Sequence, residues 1–195
     1  MTSVMKGLGS EVFDSQTVFR YLLTAMAYPG TITGMGITLS CPDRIHGSAG
    51  ALLLTLMDFE TPFWTDLPTD SSEVRWLTFH TGAPVTADPS QAVFALITDT
   101  TQPIEPERFN PGTVTSPDRS TTLIIQAQGM AENGKLWLNG PGIEKQTSLN
   151  LPGIALNFWK KRTRINQAFP TGIDMIFVHN DRFFAMPRTT QTEIN

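Results

Sequence analysis

Arg188, Arg20, His80 and Asp174 are the side chains of this sequence best suited to chemistry. Two arginines supply cations for an anion, His80 a proton shuttle near neutral pH, and Asp174 a carboxylate. Gathered at one edge of a sheet, the four would suit a phosphate ester or a nucleotide, in an enzyme acting on its own. Arg188 follows Pro187 in "FFAMPRTTQTEIN". Proline has no donor for a strand ladder, so it belongs at a strand end or sheet edge, and Arg188 becomes a rim residue. From there it can reach a carboxylate, in an internal or interface ion pair, a ligand anion, or water. Asp174 is the one charge in the apolar run "IDMIFV". That requires a rim position or a hydrogen-bonded partner, with a ligand contact or acid–base role as the alternative.

The remaining motifs fall short of a catalytic signature. "GMAENGK" at 129–135 fits seven positions of a phosphate-binding loop, but Leu136 has no hydroxyl for a magnesium ion. Asn133-Gly134 also predicts a hairpin and a strand where that loop needs a helix. "HGSAG" at 46–50 lacks the residue between glycine and serine that a nucleophile elbow has, so Ser48 reads as a helix cap. "GMGITL" at 34–39 lacks the third glycine of a dinucleotide fingerprint. His46, His80, His179 and Cys41 do not have metal-ligand spacing, so no metal is expected. Lys160, Lys161, Arg162 and Arg164 could hold a triphosphate or an acidic surface; the plainer reading is solvated cations complementing the negative end of the preceding helix. "NGPGI" at 139–143 reads as a tight turn with close backbone packing, since Pro141 lacks the N–H of an anion nest.

The elements that must position these residues alternate between helical and strand periods. "DSQTVFRYLLTAMAY" at 14–28 spaces Val18, Tyr21, Leu22, Ala25 and Met26 as one helical face, with Asp14 or Ser15 as cap and Pro29-Gly30 as stop. Arg20 and Thr24 lie on its wetter side. "SAGALLLTLMD" at 48–58 is apolar all round and predicts a buried helix. "FWTD" reads as a short strand, and 71–81 as a helix with Val74, Leu77 and, near its end, His80 on one face. Runs 92–98, 121–127 and 173–178 read as strands, the last two apolar enough to be covered on both faces by helices. Hairpins are predicted at Asn133-Gly134, joining 122–130 to 135–139, and at 179–182; the sheet is therefore mixed. Residues 148–162 read as a helix starting near Pro152 with Ile154, Phe158 and Trp159 inward, and 99–120 as a long proline-rich loop.

A length of 195 residues at 40% hydrophobic composition suits one α/β domain over 1–195, able to bury a core without staples. A net charge of -4 and a pI near 5.3 argue against nucleic acid as partner. A lone cysteine and the absence of any apolar run long enough to span a bilayer or lead secretion point to a soluble cytoplasmic protein without membrane association.

Taken in order, "FRYLLTAMAYPG" at 19–30, "LLLTLMDFETPFW" at 52–64, "LTFHTGAP" at 77–84, "TTLIIQ" at 121–126, "LNGPGI" at 138–143, "FPTGIDMIFV" at 169–178 and "AMPRTTQTE" at 185–193 resemble the H subunit (PhnH) family of the bacterial carbon-phosphorus lyase core complex. The chain departs from that pattern at Ser116 and Thr121, where an aromatic residue and alanine are usual, and at Met186, where isoleucine is. The resemblance implies an α/β fold like the large domain of PLP-dependent transferases, without a PLP site and without another cofactor. It implies a dimer when alone and assembly with the G, I and J subunits. With ATP, that machinery turns an alkylphosphonate into a ribose 1-phosphonate 5-triphosphate; the H subunit itself carries no firmly assigned activity.

Overall fold

The structure is a computed structural model that describes residues 5–194. The first helix, α1, spans Glu11–Ala27 and begins earlier than the sequence predicts. Ser10 caps it, and Asp14, instead of being the cap, reaches back to accept the Ser10 backbone N–H at 2.9 Å. Val18, Leu22 and Ala25 are buried as expected, whereas Tyr21 is 40% exposed. The helix ends at Tyr28, before Pro29. Strand β1 (Thr33–Gly34) leads to α2 (Gly47–Leu56), whose small and apolar residues allow it to sit deep. His46 occupies the cap position predicted for Ser48; Ser48 lies inside the helix, its hydroxyl donating to the Asn180 carbonyl at 2.8 Å.

After β2 (Phe63–Thr65) comes α3 (Ser72–Thr81), capped by the Ser71 hydroxyl on the Val74 N–H and closed by Gly82 in the left-handed region. Strands β3 (Phe94–Ile97) and β4 (Thr122–Gln126) flank the long loop, which contains two short 3-10 turns. Within it Thr121 is fully buried and donates to the Ala92 carbonyl at 2.6 Å.

The predicted hairpin at Asn133-Gly134 does not form. One strand, β5 (Ala131–Asn139), runs straight through it and pairs antiparallel with β6 (Thr147–Asn150). The turn-forming residues make a bulge: Asn133 has φ 59°, and the register shifts between Glu132 and Leu136, both opposite Leu149. A Cβ on Gly134 would lie 2.1 Å from the Leu149 carbonyl oxygen, so the close approach needs glycine. Since β6 uses residues 147–150, the last helix, α4, starts later than predicted and spans Leu156–Asn166, with Phe158 and Trp159 buried. Strands β7 (Asp174–His179) and β8 (Arg182–Met186) form the predicted second hairpin, and β9 (Gln191–Ile194) pairs with β5.

Six strands form a mixed sheet in the order β1-β8-β7-β4-β3-β2, with β2, β3, β4 and β7 parallel, β8 antiparallel to β7, and β1 antiparallel to β8. Alternate residues of the central strands enter two cores. Ile124, Ile176 and Val178 meet Leu22, Leu52, Leu53 and Leu77 of the first three helices. Leu123, Ile125, Met175 and Phe177 meet Phe158 and Trp159 of α4 together with Leu138 and Leu149. Both faces are therefore covered as the apolar runs require, but the second face is covered by α4 and a three-stranded sheet, β6-β5-β9, rather than by helices alone.

Candidate functional site

The parallel strands end together at Thr65, Ile97, Gln126 and His179. In open parallel sheets ligands bind beyond this carboxyl edge, because loops diverge there and leave a crevice. An open cavity of about 520 Å³ lies at this edge, bounded by Arg44, His46, Asp66, Thr98, Asp99 and Gln126 among others. Arg44 is anchored by a two-point pair with Glu73 on α3, Nε to Oε1 at 3.0 Å and Nη2 to Oε2 at 2.9 Å. Its side chain stays half-exposed while that of Glu73 is only 5% exposed. The Arg44 hydrogen bond, aided by the Ser72 hydroxyl, holds the Glu73 carboxyl at about 2, well below its ordinary 4.5.

Asp66 spends its carboxylate on the strand-end loop. It accepts the Thr98 N–H and hydroxyl and the Asp99 N–H, all within 3.0 Å. Gln126 bridges the loop before α2, its Oε1 accepting the His46 N–H at 2.7 Å and its Nε2 donating to the Arg44 carbonyl at 2.9 Å. His46 accepts the Asn180 N–H on Nδ1, so that nitrogen carries no proton. Burial, then the charge of His179, lowers the pKa of His46 below its ordinary value, against a hydrogen bond to the Val178 backbone. The two imidazoles meet edge to face at 5.7 Å. His179 faces the Ala127 carbonyl with Nδ1 at 3.0 Å, which fixes a proton on that atom. The crevice thus offers one anchored cation and bonded carboxylates, an arrangement suited to binding. Ser48 is bonded to backbone carbonyls, and burial pushes the Cys41 thiol up to about 12. Among the described residues, no group of three or more His, Cys, Asp or Glu is placed to hold a metal ion.

Of the four side chains singled out in the sequence, the structure joins two. Arg188 and Asp174 pair at the opposite, amino edge of the parallel strands, where Asp174 is the first residue of β7. Arg188 Nη2 meets Asp174 Oδ2 at 2.6 Å and Nε meets Oδ1 at 3.3 Å, while the Arg188 backbone N–H donates to Oδ1 at 2.7 Å. The other guanidinium donors reach the Pro117 and Pro170 carbonyls and the Ser120 hydroxyl. All five N–H groups are engaged, so Arg188 ties the loops at 117–120 and at Pro170 to the sheet rim through an internal ion pair. Arg20 is exposed on α1. His80 binds the Met5 carbonyl through Nε2 at 2.9 Å, with its ring against Trp76 and Phe79. Neither has a hydrogen bond or ion pair to the Arg188–Asp174 pair among the described residues.

The 160–164 cations differ from the solvated row expected of them. Lys160 and Arg164 are exposed, and Lys161 pairs with Glu105 and Glu107. Arg162, however, is 1% exposed, donating to the Thr190 carbonyl at 2.8 Å and the Pro187 carbonyl at 2.9 Å. Its position follows from helical spacing: Phe158, Trp159 and Arg162 share the face of α4 that packs inward. The spacing was visible in the sequence, but charge and the neighbouring lysines concealed it.

Comparison with known proteins places the sequence in a family. The family model "Bacterial phosphonate metabolism protein (PhnH)" matches residues 6–193. The chain is 34% identical, over 93% of its length and 92% of the relative's, to the alpha-D-ribose 1-methylphosphonate 5-triphosphate synthase subunit PhnH of Rhizobium meliloti (strain 1021). It is 29% identical, over 92% of its length and 86% of the relative's, to the putative C-P lyase subunit protein HtxG of Stutzerimonas stutzeri. Whole-chain agreement of this extent makes the chain a member of the PhnH family of bacterial phosphonate metabolism proteins.

Proposed function

We propose that this chain is an accessory subunit of a carbon-phosphorus lyase core complex. It supports conversion of an alkylphosphonate and ATP to ribose 1-phosphonate 5-triphosphate, and it acts by assembling with the G, I and J subunits in the cytoplasm and as a homodimer when alone. The two relatives are named as subunits of such machinery. The observation that carries the reading is the outer face of α1. Val12, Phe19 and Leu23, spaced seven and four apart, form one stripe with Phe13 beside it, at 74%, 47%, 54% and 71% exposure respectively. The opposite face of the same helix fills the core with Val18 and Leu22. A helix apolar on both sides, one of them uncovered, is built to be covered by another chain.

The likeness to the large domain of PLP-dependent transferases belongs to the same proposal. The crevice residues do not suit that cofactor, since no lysine lines the cavity at the carboxyl edge for a Schiff base. A stand-alone phosphate-ester or nucleotide enzyme built on Arg188, Arg20, His80 and Asp174 has less support, because Arg188 and Asp174 spend their polar atoms on each other. Among the described residues no helix is long and apolar enough to cross a membrane.

The test is co-expression of a tagged chain with the G, I and J subunits of the same genome, then affinity capture and size-exclusion chromatography. Co-elution in fixed ratio, lost on Leu23→Asp with the fold intact by circular dichroism, supports the reading. Elution alone under all salt conditions overturns it.

A further inference from the structure

Arg162 is a buried guanidinium with no carboxylate partner. Ion pairs of the described residues engage Lys161, Arg164, Arg188 and Arg44, but none reaches Arg162. The charge that favours its protonation, Asp174, is already committed to Arg188. Its two bonds leave three donors unanswered: Nε, which has no partner, and the second N–H of each terminal nitrogen. Beside it the Thr190 hydroxyl, on a residue 1% exposed, is also without a partner. Buried polar groups are bonded in the great majority of cases, and a buried cation is paired, so two orphans together at one place call for a complement.

Arg162 and Thr190 both lie in the wall of an open cavity of about 630 Å³ between α4 and the start of β9. The rest of that wall is mostly hydroxyl and amide: Thr163, Thr192, Asn166 and Gln167 contribute. The one carboxylate in it, Glu193, sits on exposed β9 and makes no ion pair with Arg162.

We propose that this cavity is a binding site for a small organic oxyanion, its phosphoryl or carboxylate group met by Arg162 and the Thr190 hydroxyl and its polar body lying along the threonines and amides. The charge complement is what Arg162 lacks, and the acceptor oxygens of one such group suffice for its free donors and the hydroxyl. Assembly with other subunits is not required, since every residue named belongs to one chain.

The experiment follows the arginine Nε–H resonances of the whole protein by nuclear magnetic resonance, with the Arg162 signal assigned through Arg162→Lys. Inorganic phosphate, glycerol 3-phosphate, glycerol and acetate are titrated at constant ionic strength in chloride. A saturable shift of the Arg162 signal is expected, at lower concentration for glycerol 3-phosphate than for phosphate and absent for glycerol. Saturation by acetate but not phosphate assigns the site to carboxylates. Thr190→Val removes a hydroxyl that has no partner in the fold, so it should fold normally and weaken binding about tenfold, the loss of one charge-assisted hydrogen bond. No saturable shift up to roughly 20 mM of any anion, beyond ordinary metabolite affinities, overturns the proposal. So does a shift reproduced by chloride alone, or one unchanged in Thr190→Val.

Discussion

Replacing Glu73 by glutamine isolates the charge of the Arg44–Glu73 pair with little change of shape. Folding lowers the Glu73 pKa from 4.5 to about 2. At about 1.4 kcal/mol per decade that difference is worth about 3 kcal/mol. Arg44 is half-exposed and its charge is screened by water, so about 2 kcal/mol is the better figure. The sign is fixed by linkage: the carboxylate is favoured in the folded state, so its contribution is present above the unfolded value of 4.5 and is lost as pH falls through about 2. Urea unfolding at pH 7 should therefore find Glu73→Gln less stable by about 2 kcal/mol, with an unchanged slope. Between pH 4.5 and pH 2 the two proteins should converge, because the parent alone takes up a proton there. Equal stability at pH 7, or a gap as wide at pH 2.5 as at pH 7, would refute the reasoning.

Asp174→Asn removes the partner of a guanidinium whose side chain is 14% exposed, and thermal or urea unfolding should report a loss of about 2–4 kcal/mol. The effect should arise in the absence of any ligand, as an internal staple requires. Cys41 should resist alkylation: raising its pKa from 9.0 to about 12 cuts the thiolate fraction about a thousandfold at pH 8. The higher intrinsic nucleophilicity of the anion returns part of this, so iodoacetamide should react about 30–100-fold more slowly than with a free thiol, and a normal rate disproves the burial argument. Gly134→Ala puts a methyl 2.1 Å from the Leu149 carbonyl oxygen, and should cost at least about 2 kcal/mol by displacing the β5–β6 pairing.

The parts of the fold legible in the sequence are those where one period dominates. The all-round apolar α2 and the runs of β4 and β7 have no other stable home than a doubly covered centre. What misled was local chemistry serving a longer-range geometry. Asn133-Gly134 has the backbone freedom of a two-residue turn, and the protein uses that freedom for a bulge because Leu149 and Ile194 pair with the same strand from either side. Residues 148–150 fit a helix pattern yet complete that small sheet. For the candidate site, Arg188 and Asp174 were legible as rim and partner, since a proline and a lone charge in an apolar strand each allow few positions. The crevice was not, because Arg44 and His46, Asp66, and Gln126 come from three segments whose convergence depends on strand order.

Arg162, within α4, and Arg188, just past β8, show how similar residues divide their roles. Arg188 has a carboxylate and an acceptor for every donor, so its charge is cancelled within the chain and its removal can only loosen loops. Arg162 has carbonyl acceptors alone, and desolvation lowers its pKa from 12.5 to about 10, which leaves it charged at neutral pH. A buried cation without its counter-charge costs stability, and an apolar side chain of similar volume would often be tolerated as well or better. Its hold on the 187–190 turn gives Arg162 a structural use, since that turn delivers β9 to β5. Two neutral donors would hold those two carbonyls equally well. The remaining donors and the positive charge have no use within the chain, and it is this surplus, rather than the burial itself, that points outward to an anion.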